Sequence, residues 1–148
     1  MRRDSRLSVA LHVLLHMVEA ERPLTSEELA DGLRMNAVVL RRILSALRGA
    51  KILRGEKGHG GGWTLARDLG AVSLGDVLEA VGGASLFTIG PRNDDSRCPI
   101  ERAADGAIAE VLDEAESLIT SRLQAIPVAS LLEDARRGLA RKDIHDHV

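Results

Sequence analysis

Apolar residues from Leu7 onward recur at helical spacing. Leu7, Ala10, Leu11, Leu14, Leu15 and Val18 share one face of a helix that Ser5 can cap and that runs to about Ala20. Glu21-Arg22-Pro23 ends it. Thr25-Ser26-Glu27-Glu28 has capping-box spacing and predicts a short second helix over Ser26 to about Gly32. Gly32-Leu33-Arg34-Met35 reads as a turn. Asn36 then caps a third helix, Ala37 to about Ala50, with Val39, Leu40, Ile43, Leu44 and Leu47 as its apolar stripe. Two helices across a four-residue turn predict a helix-turn-helix.

The period then changes. Ile52-Leu53-Arg54 and Trp63-Thr64-Leu65 read as short strands bracketing the glycine-rich run Gly55 to Gly62, so a β-hairpin is expected. A hairpin placed after a helix-turn-helix is a wing. Ser73-Leu74-Gly75-Asp76 opens a further helix to about Val81, and residues 82–97 read as loop. Pro99 starts a long helix reaching about Ala125, which Pro127 stops. Val128, Leu131, Leu132, Ala135 and Leu139 predict one more amphipathic helix before a polar tail. The expected fold is mainly α with a small β-hairpin wing: a winged helix-turn-helix plus a long dimerisation helix. Its expected parts are a DNA-binding unit at 1–82, a hinge at 83–98, dimerisation helices at 99–140 and a tail at 141–148.

The long helix repeats apolar residues at Ile100, Ala104, Ile108, Val111, Ala115 and Leu118, a stripe too wide for the preceding unit to cover alone. Its alanines would let another backbone approach. A homodimer through this face is expected, with an intramolecular hairpin against the last helix as the alternative.

Composition narrows the partner. Only Trp63 and Phe87 are aromatic, which leaves no platform for stacking unpaired bases. The overall net charge of −2 hides a division. Residues 1–67 hold 12 Lys and Arg against 7 Asp and Glu, a net of +5, whereas residues 68–148 hold 8 against 15, a net of −7. A basic half on a helix-turn-helix points to double-stranded DNA. The apolar run Val9 to Val18 is broken by His12 and His16, so neither a membrane span nor a signal peptide is expected, and the expected compartment is the cytoplasm.

In a helix-turn-helix the start of the second helix enters the major groove, where arginine binds guanine bidentately. Asn36, Val38, Arg41 and Arg42 lie there, with Arg48 further along. At the wing tip, Lys57, His59, Gly60 and Gly61 are placed for a phosphate or minor-groove contact, and Arg2, Arg3 and Arg6 are phosphate candidates at the N-terminus. His59-Gly60-Gly61-Gly62 also matches the oxyanion-hole motif of lipases, but the chain holds no Gly-x-Ser-x-Gly elbow and predicts no succession of strands. No phosphate-binding loop ending in Gly-Lys-Ser/Thr occurs either. An enzyme is not expected.

His12 and His16, four residues apart, could ligate a metal, but only Glu19 offers a third donor on that helix, so no metal site is expected. The single cysteine, Cys98, precedes Pro99 at the positive end of the long helix dipole, where a thiolate is favoured. It reads either as a sensor or as a small packed hydrophobe.

Leu40-Arg41-Arg42-Ile43-Leu44-Ser45-Ala46-Leu47-Arg48, then Gly58-His59-Gly60-Gly61-Gly62-Trp63-Thr64-Leu65-Ala66-Arg67, then Ser73 to Gly83 resemble the Rrf2 family of bacterial winged-helix regulators. This family includes the iron–sulfur cluster regulator and the nitric-oxide-sensitive repressor. The resemblance implies a homodimer of two winged heads on crossing long helices, binding an operator with dyad symmetry. It places DNA contacts at Asn36 to Arg42 and puts Lys57 where a basic wing residue enters the minor groove. Cluster-binding members carry three cysteines before the long helix. This chain keeps only Cys98, so no cofactor, and no iron–sulfur cluster on the usual ligands, is expected. Arg41-Arg42 stands where other members often carry Glu-Gln, so their operators do not transfer. The expected function is a homodimeric repressor switched by oxidation or alkylation of Cys98. The alternatives are a regulator answering a small effector near Trp63, Phe87 or the long helix, and a protein-interaction dimer that does not bind DNA.

Overall fold

The computed structural model describes residues 5–82 and 98–145, with side chains described as far as Arg137. Arg2, Arg3, Phe87 and residues 83–97 of the expected hinge lie outside it. The elements run α1 (Arg6–Ala20), α2 (Ser26–Gly32), α3 (Ala37–Gly49), β1 (Leu53–Glu56), β2 (Gly62–Leu65), a 3₁₀ turn (Leu69–Ala71), α4 (Leu74–Ala80), α5 (Pro99–Gln124) and α6 (Val128–His145). The fold is the expected winged helix-turn-helix with a long helix after it.

Three caps set the helix starts. Thr25 Oγ1 accepts from the Glu28 amide at 3.1 Å while the Thr25 amide donates to Glu28 Oε2 at 2.8 Å, closing the expected box on α2. Ser73 and Asp76 repeat it on α4 at 3.0 and 2.9 Å. Asn36 Oδ1 accepts from the amides of Val38 and Val39 and starts α3. Each satisfies amide groups that the helix itself leaves without partners. Ser5, by contrast, stands before α1 without a side-chain capping bond.

The core is aliphatic. Ala10, Val13, Leu14 and Met17 of α1 pack with Leu29 of α2, Leu40, Ile43, Leu44 and Leu47 of α3, and Val77 of α4. The buried face of α1 is therefore centred on Ala10, Val13, Leu14 and Met17, with Leu7, Leu11, Leu15 and Val18 only partly buried. The apolar set is broad, and it is the polar stripe Ser8, His12, His16 and Glu19 that marks the outer face opposite this buried one. Val39 departs from the expected stripe of α3: it is 44% exposed, beside Val38 at 57%.

β1 and β2 pair antiparallel, Leu53 opposite Leu65 and Glu56 opposite Gly62. The strands reach further toward the tip than the apolar pattern indicates, leaving Lys57 to Gly61 as the loop. Leu24, between α1 and α2, exchanges two backbone hydrogen bonds with Trp63, at 2.8 and 3.1 Å, and lies against β2 as a third rung. A Cβ on Gly62 would come within 2.8 Å of the Leu24 carbonyl oxygen, so only glycine permits this approach.

The corner between α5 and α6 returns to the head. The Leu74 amide donates to the Ile126 carbonyl at 2.9 Å and the Val128 amide to the Val72 carbonyl at 2.8 Å. Val128 is fully buried in the core of the head. Gly75 lets α4 lie close on α5: a Cβ there would meet the Gln124 side chain at 2.6 Å. α6 packs on the 3₁₀ turn and on α1. The expected alternative, a hairpin of α6 along α5, is not the arrangement of the described residues.

Candidate nucleic-acid interface

α2 and α3 form the helix-turn-helix. The turn closes with the Met35 amide donating to the Ala30 carbonyl at 2.9 Å and with Arg34 in the left-handed region at φ 51°. α3 buries Leu40, Ile43, Leu44 and Leu47, which leaves Val38, Val39, Arg41 and Arg42 on its outward side at the entering end. Asn36 is committed to the cap through its side-chain oxygen, so its amide nitrogen is the part that remains for a base or phosphate.

Arg41 reaches Glu27 of α2 at 3.5 Å, both side chains well exposed at 62% and 73%. Such a pair is weak in water, and a phosphate competes for the guanidinium. Arg42 is exposed. Arg48 turns toward the wing, its guanidinium 5.8 Å from the Trp63 ring centroid in a cation–π contact.

Trp63 is the joint of the wing. Its indole nitrogen donates to Ser26 Oγ at 3.0 Å, and its backbone bonds to Leu24. At the tip, Lys57 and His59 are exposed, and Gly60 holds φ 79°. A Cβ on Gly61 would lie 2.4 Å from the Glu56 carbonyl oxygen, so this glycine is required by the turn itself. Arg54 Nε donates to Thr64 Oγ1 at 3.0 Å across the hairpin, beside Glu56.

Arg6 sits elsewhere: its Nη1 donates to the Val81 carbonyl at 3.1 Å, at the C-terminal end of α4, where a cation suits the helix dipole. Sequence reasoning places it among the phosphate candidates, and a bond 75 residues away leaves no local signal. It also misses Val39 as an exposed residue and Ser26 as the partner of the wing.

The two capping-box carboxyls are held below their ordinary range. Glu28 falls from 4.5 to about 2, first through the hydrogen bond from Arg22 and then through the Thr25 amide. Asp76 is lowered mainly by the Ser73 amide.

α5 has no buried residue. Ile100, Val111 and Leu118 are 80%, 64% and 60% exposed, Ile108 is 39% exposed, Ala104 is exposed and Ala115 is half-buried. Cys98 is exposed at the N-cap position of this helix. Among the described residues, no group of three or more His, Cys, Asp or Glu converges on one point. No helix among them is long and apolar enough to cross a membrane.

Comparison with known proteins accords with this geometry. The family model described as Rrf2, iron-dependent transcriptional regulator, matches residues 3–134. The chain is 30% identical over 120 residues to the "Putative HTH-type transcriptional regulator YwnA" of Bacillus subtilis, covering 81% of this chain and 89% of that protein. Among solved structures, a transcriptional regulator from Lactobacillus plantarum superposes with a TM-score of 0.76 at 25% identity, over 97% of this chain and 99% of the other. T. potens IscR superposes with a TM-score of 0.65 at 18% identity, over 90% or so of either chain: 91% of this one and 88% of that one. Taken with the winged head and its exposed recognition helix, the match over nearly the whole chain makes this protein a member of the Rrf2 family of transcriptional regulators, DNA-binding proteins and not enzymes.

Proposed function

We propose that the chain is a homodimeric repressor that binds an operator with dyad symmetry. The observation that carries this is the outward row of Val38, Val39, Arg41 and Arg42 on a capped helix whose opposite side is core. The arginines suit guanine O6 and N7 or phosphate, and the two valines suit thymine methyl groups. Lys57 and His59 at the wing tip add phosphate or minor-groove contacts. The exposed apolar residues of α5 supply a surface for a second copy, and the acidic excess of residues 68–148 keeps DNA on the heads. Two heads read half-sites about 34 Å apart, so a small change in their spacing weakens simultaneous binding. Cys98, exposed at the start of α5, is placed for such a switch: oxidation or alkylation of its thiol alters the junction between head and long helix.

The test is selection of bound DNA from a random pool, with and without peroxide. Recovery of an inverted repeat, lost on oxidation in the wild type and retained in Cys98→Ser, supports the whole reading. A recovered repeat that peroxide releases equally from Cys98→Ser removes the thiol switch. No enriched sequence removes the operator reading and leaves a protein-interaction dimer.

A second reading rests on the cleft of about 520 Å³ between α3 and α4, edged by Arg67, Asp76 and Glu79. A small effector there touches the end of the recognition helix and needs no thiol chemistry.

A further inference from the structure

The outer face of α1 carries two imidazoles that the DNA-binding reading does not use. Ser8, His12, His16 and Glu19 are its exposed positions. The Nε2 atoms of His12 and His16 lie 3.0 Å apart, with ring centroids 4.7 Å apart and planes inclined at 39°. The two nitrogens thus converge on one point in place of spreading into solvent.

The same convergence suits a shared cation. With metal–nitrogen bonds of about 2.0–2.1 Å, a separation of 3.0 Å subtends about 90–100° at the ion, the cis angle of octahedral and square-planar sites. A tetrahedral ion needs the nitrogens only about 0.3–0.4 Å further apart, a small rotation for two exposed side chains. Imidazole donors select nickel, copper(II) or zinc over magnesium and calcium, which take oxygen ligands. No third His, Cys, Asp or Glu among the described residues joins the pair, so the remaining coordination positions are open to solvent. His16 and Glu19 also edge a cleft of about 290 Å³ between α1 and α2.

We propose that His12 and His16 form a two-point chelate for a borderline divalent cation on the outer face of α1. The proposal is independent of the operator reading, and DNA binding is not its test.

The experiment is calorimetric titration of the full chain with nickel chloride, zinc chloride and magnesium chloride. The chain has five histidines and one cysteine, so the variants separate the donors. Nickel is expected to bind the wild type, the His145→Gln/His147→Gln double variant and Cys98→Ser alike at this site. Its affinity is expected to fall at least tenfold in His12→Gln and in His16→Gln, and magnesium is expected not to bind. Circular dichroism checks that His12→Gln and His16→Gln, each altered at an exposed position, keep their helices. As a second readout, copper(II) at a tenth of the protein concentration is expected to broaden the ring signals of His12 and His16 together and first. Unchanged nickel affinity and stoichiometry in both His12→Gln and His16→Gln, or broadening confined to the other histidines, overturns the proposal.

Discussion

The indole nitrogen of Trp63 donates to Ser26 Oγ at 3.0 Å, and this bond joins the wing to the first turn of α2 across 37 residues of sequence. Trp63 also carries the backbone rung to Leu24 and lies beneath Arg48. The Trp63 side chain thus adds a side-chain tie between the wing and α2 to the backbone rung at Leu24. Trp63→Phe keeps a ring and removes the donor, and is expected to cost about 1 kcal/mol in urea unfolding. Ser26→Ala is expected to cost a similar amount, and the double variant less than the sum of the two. Full additivity means the bond contributes nothing.

Caps supply the second prediction. Thr25→Ala and Asn36→Ala each remove a side chain that accepts from the first turn of a helix, with an expected loss of about 1 kcal/mol. Ser73→Ala is expected to cost more than Thr25→Ala, because Ser73 Oγ also donates to Gln124 Oε1 at 2.7 Å and so ties α4 to α5. Equal losses in the two variants, measured by chemical denaturation, contradict that second role.

Acid sensitivity follows from the lowered carboxyls. Glu28 is held at about 2 against an ordinary 4.5, first by Arg22 and then by the Thr25 amide, and Asp76 is lowered by the Ser73 amide. A carboxyl lowered in the folded state stabilises it above the unfolded value, and this is lost as pH falls through the folded value. The Arg22 guanidinium, raised by Glu28, stays charged throughout. The melting temperature is expected to be level above about pH 5 and to decline from pH 4.5 toward pH 2, less steeply in Glu28→Gln. Salt weakens the Arg22 part, since both side chains are exposed.

The apolar face of α5 gives a prediction about assembly. Val111→Glu combined with Leu118→Glu places charge on residues 64% and 60% exposed in the single chain. The head is expected to keep its fold, while sedimentation shifts from about twice 15.9 kDa to 15.9 kDa. A wild-type chain that sediments at 15.9 kDa at micromolar concentration contradicts the dimer.

Much of this architecture is legible in the sequence because capping boxes and prolines are local signals. Thr25/Glu28 and Ser73/Asp76 mark helix starts by spacing alone, and Pro99 and Pro127 bound α5. The buried centre of α1 is not legible from its apolar residues, which lie on most sides of it, although the polar stripe Ser8, His12, His16 and Glu19 marks its outer face. The strands extend past their expected ends because Gly55, Glu56 and Gly62 carry no alternating pattern yet pair with the opposite strand. The 3₁₀ turn at Leu69–Ala71 escapes notice because its signal is one Asp68 side chain accepting from the Gly70 amide. At the interface, Arg41, Arg42 and Val38 follow from their place on α3. The roles of Arg6, Arg48 and Ser26 depend on partners far along the chain, which spacing cannot reveal.

In the function we propose, the outward side of α3 grips DNA. The measurement is the affinity for an operator recovered by selection, taken over a series of salt concentrations, for the wild type and for Arg41→Ala/Arg42→Ala. At least a tenfold loss of affinity is expected, with a log–log salt slope shallower by about one for each arginine that holds a phosphate. An arginine that reads a guanine lowers affinity with little change in slope and relaxes the preference at one base pair. Unchanged affinity and slope in a folded variant would mean that α3 is not the recognition helix.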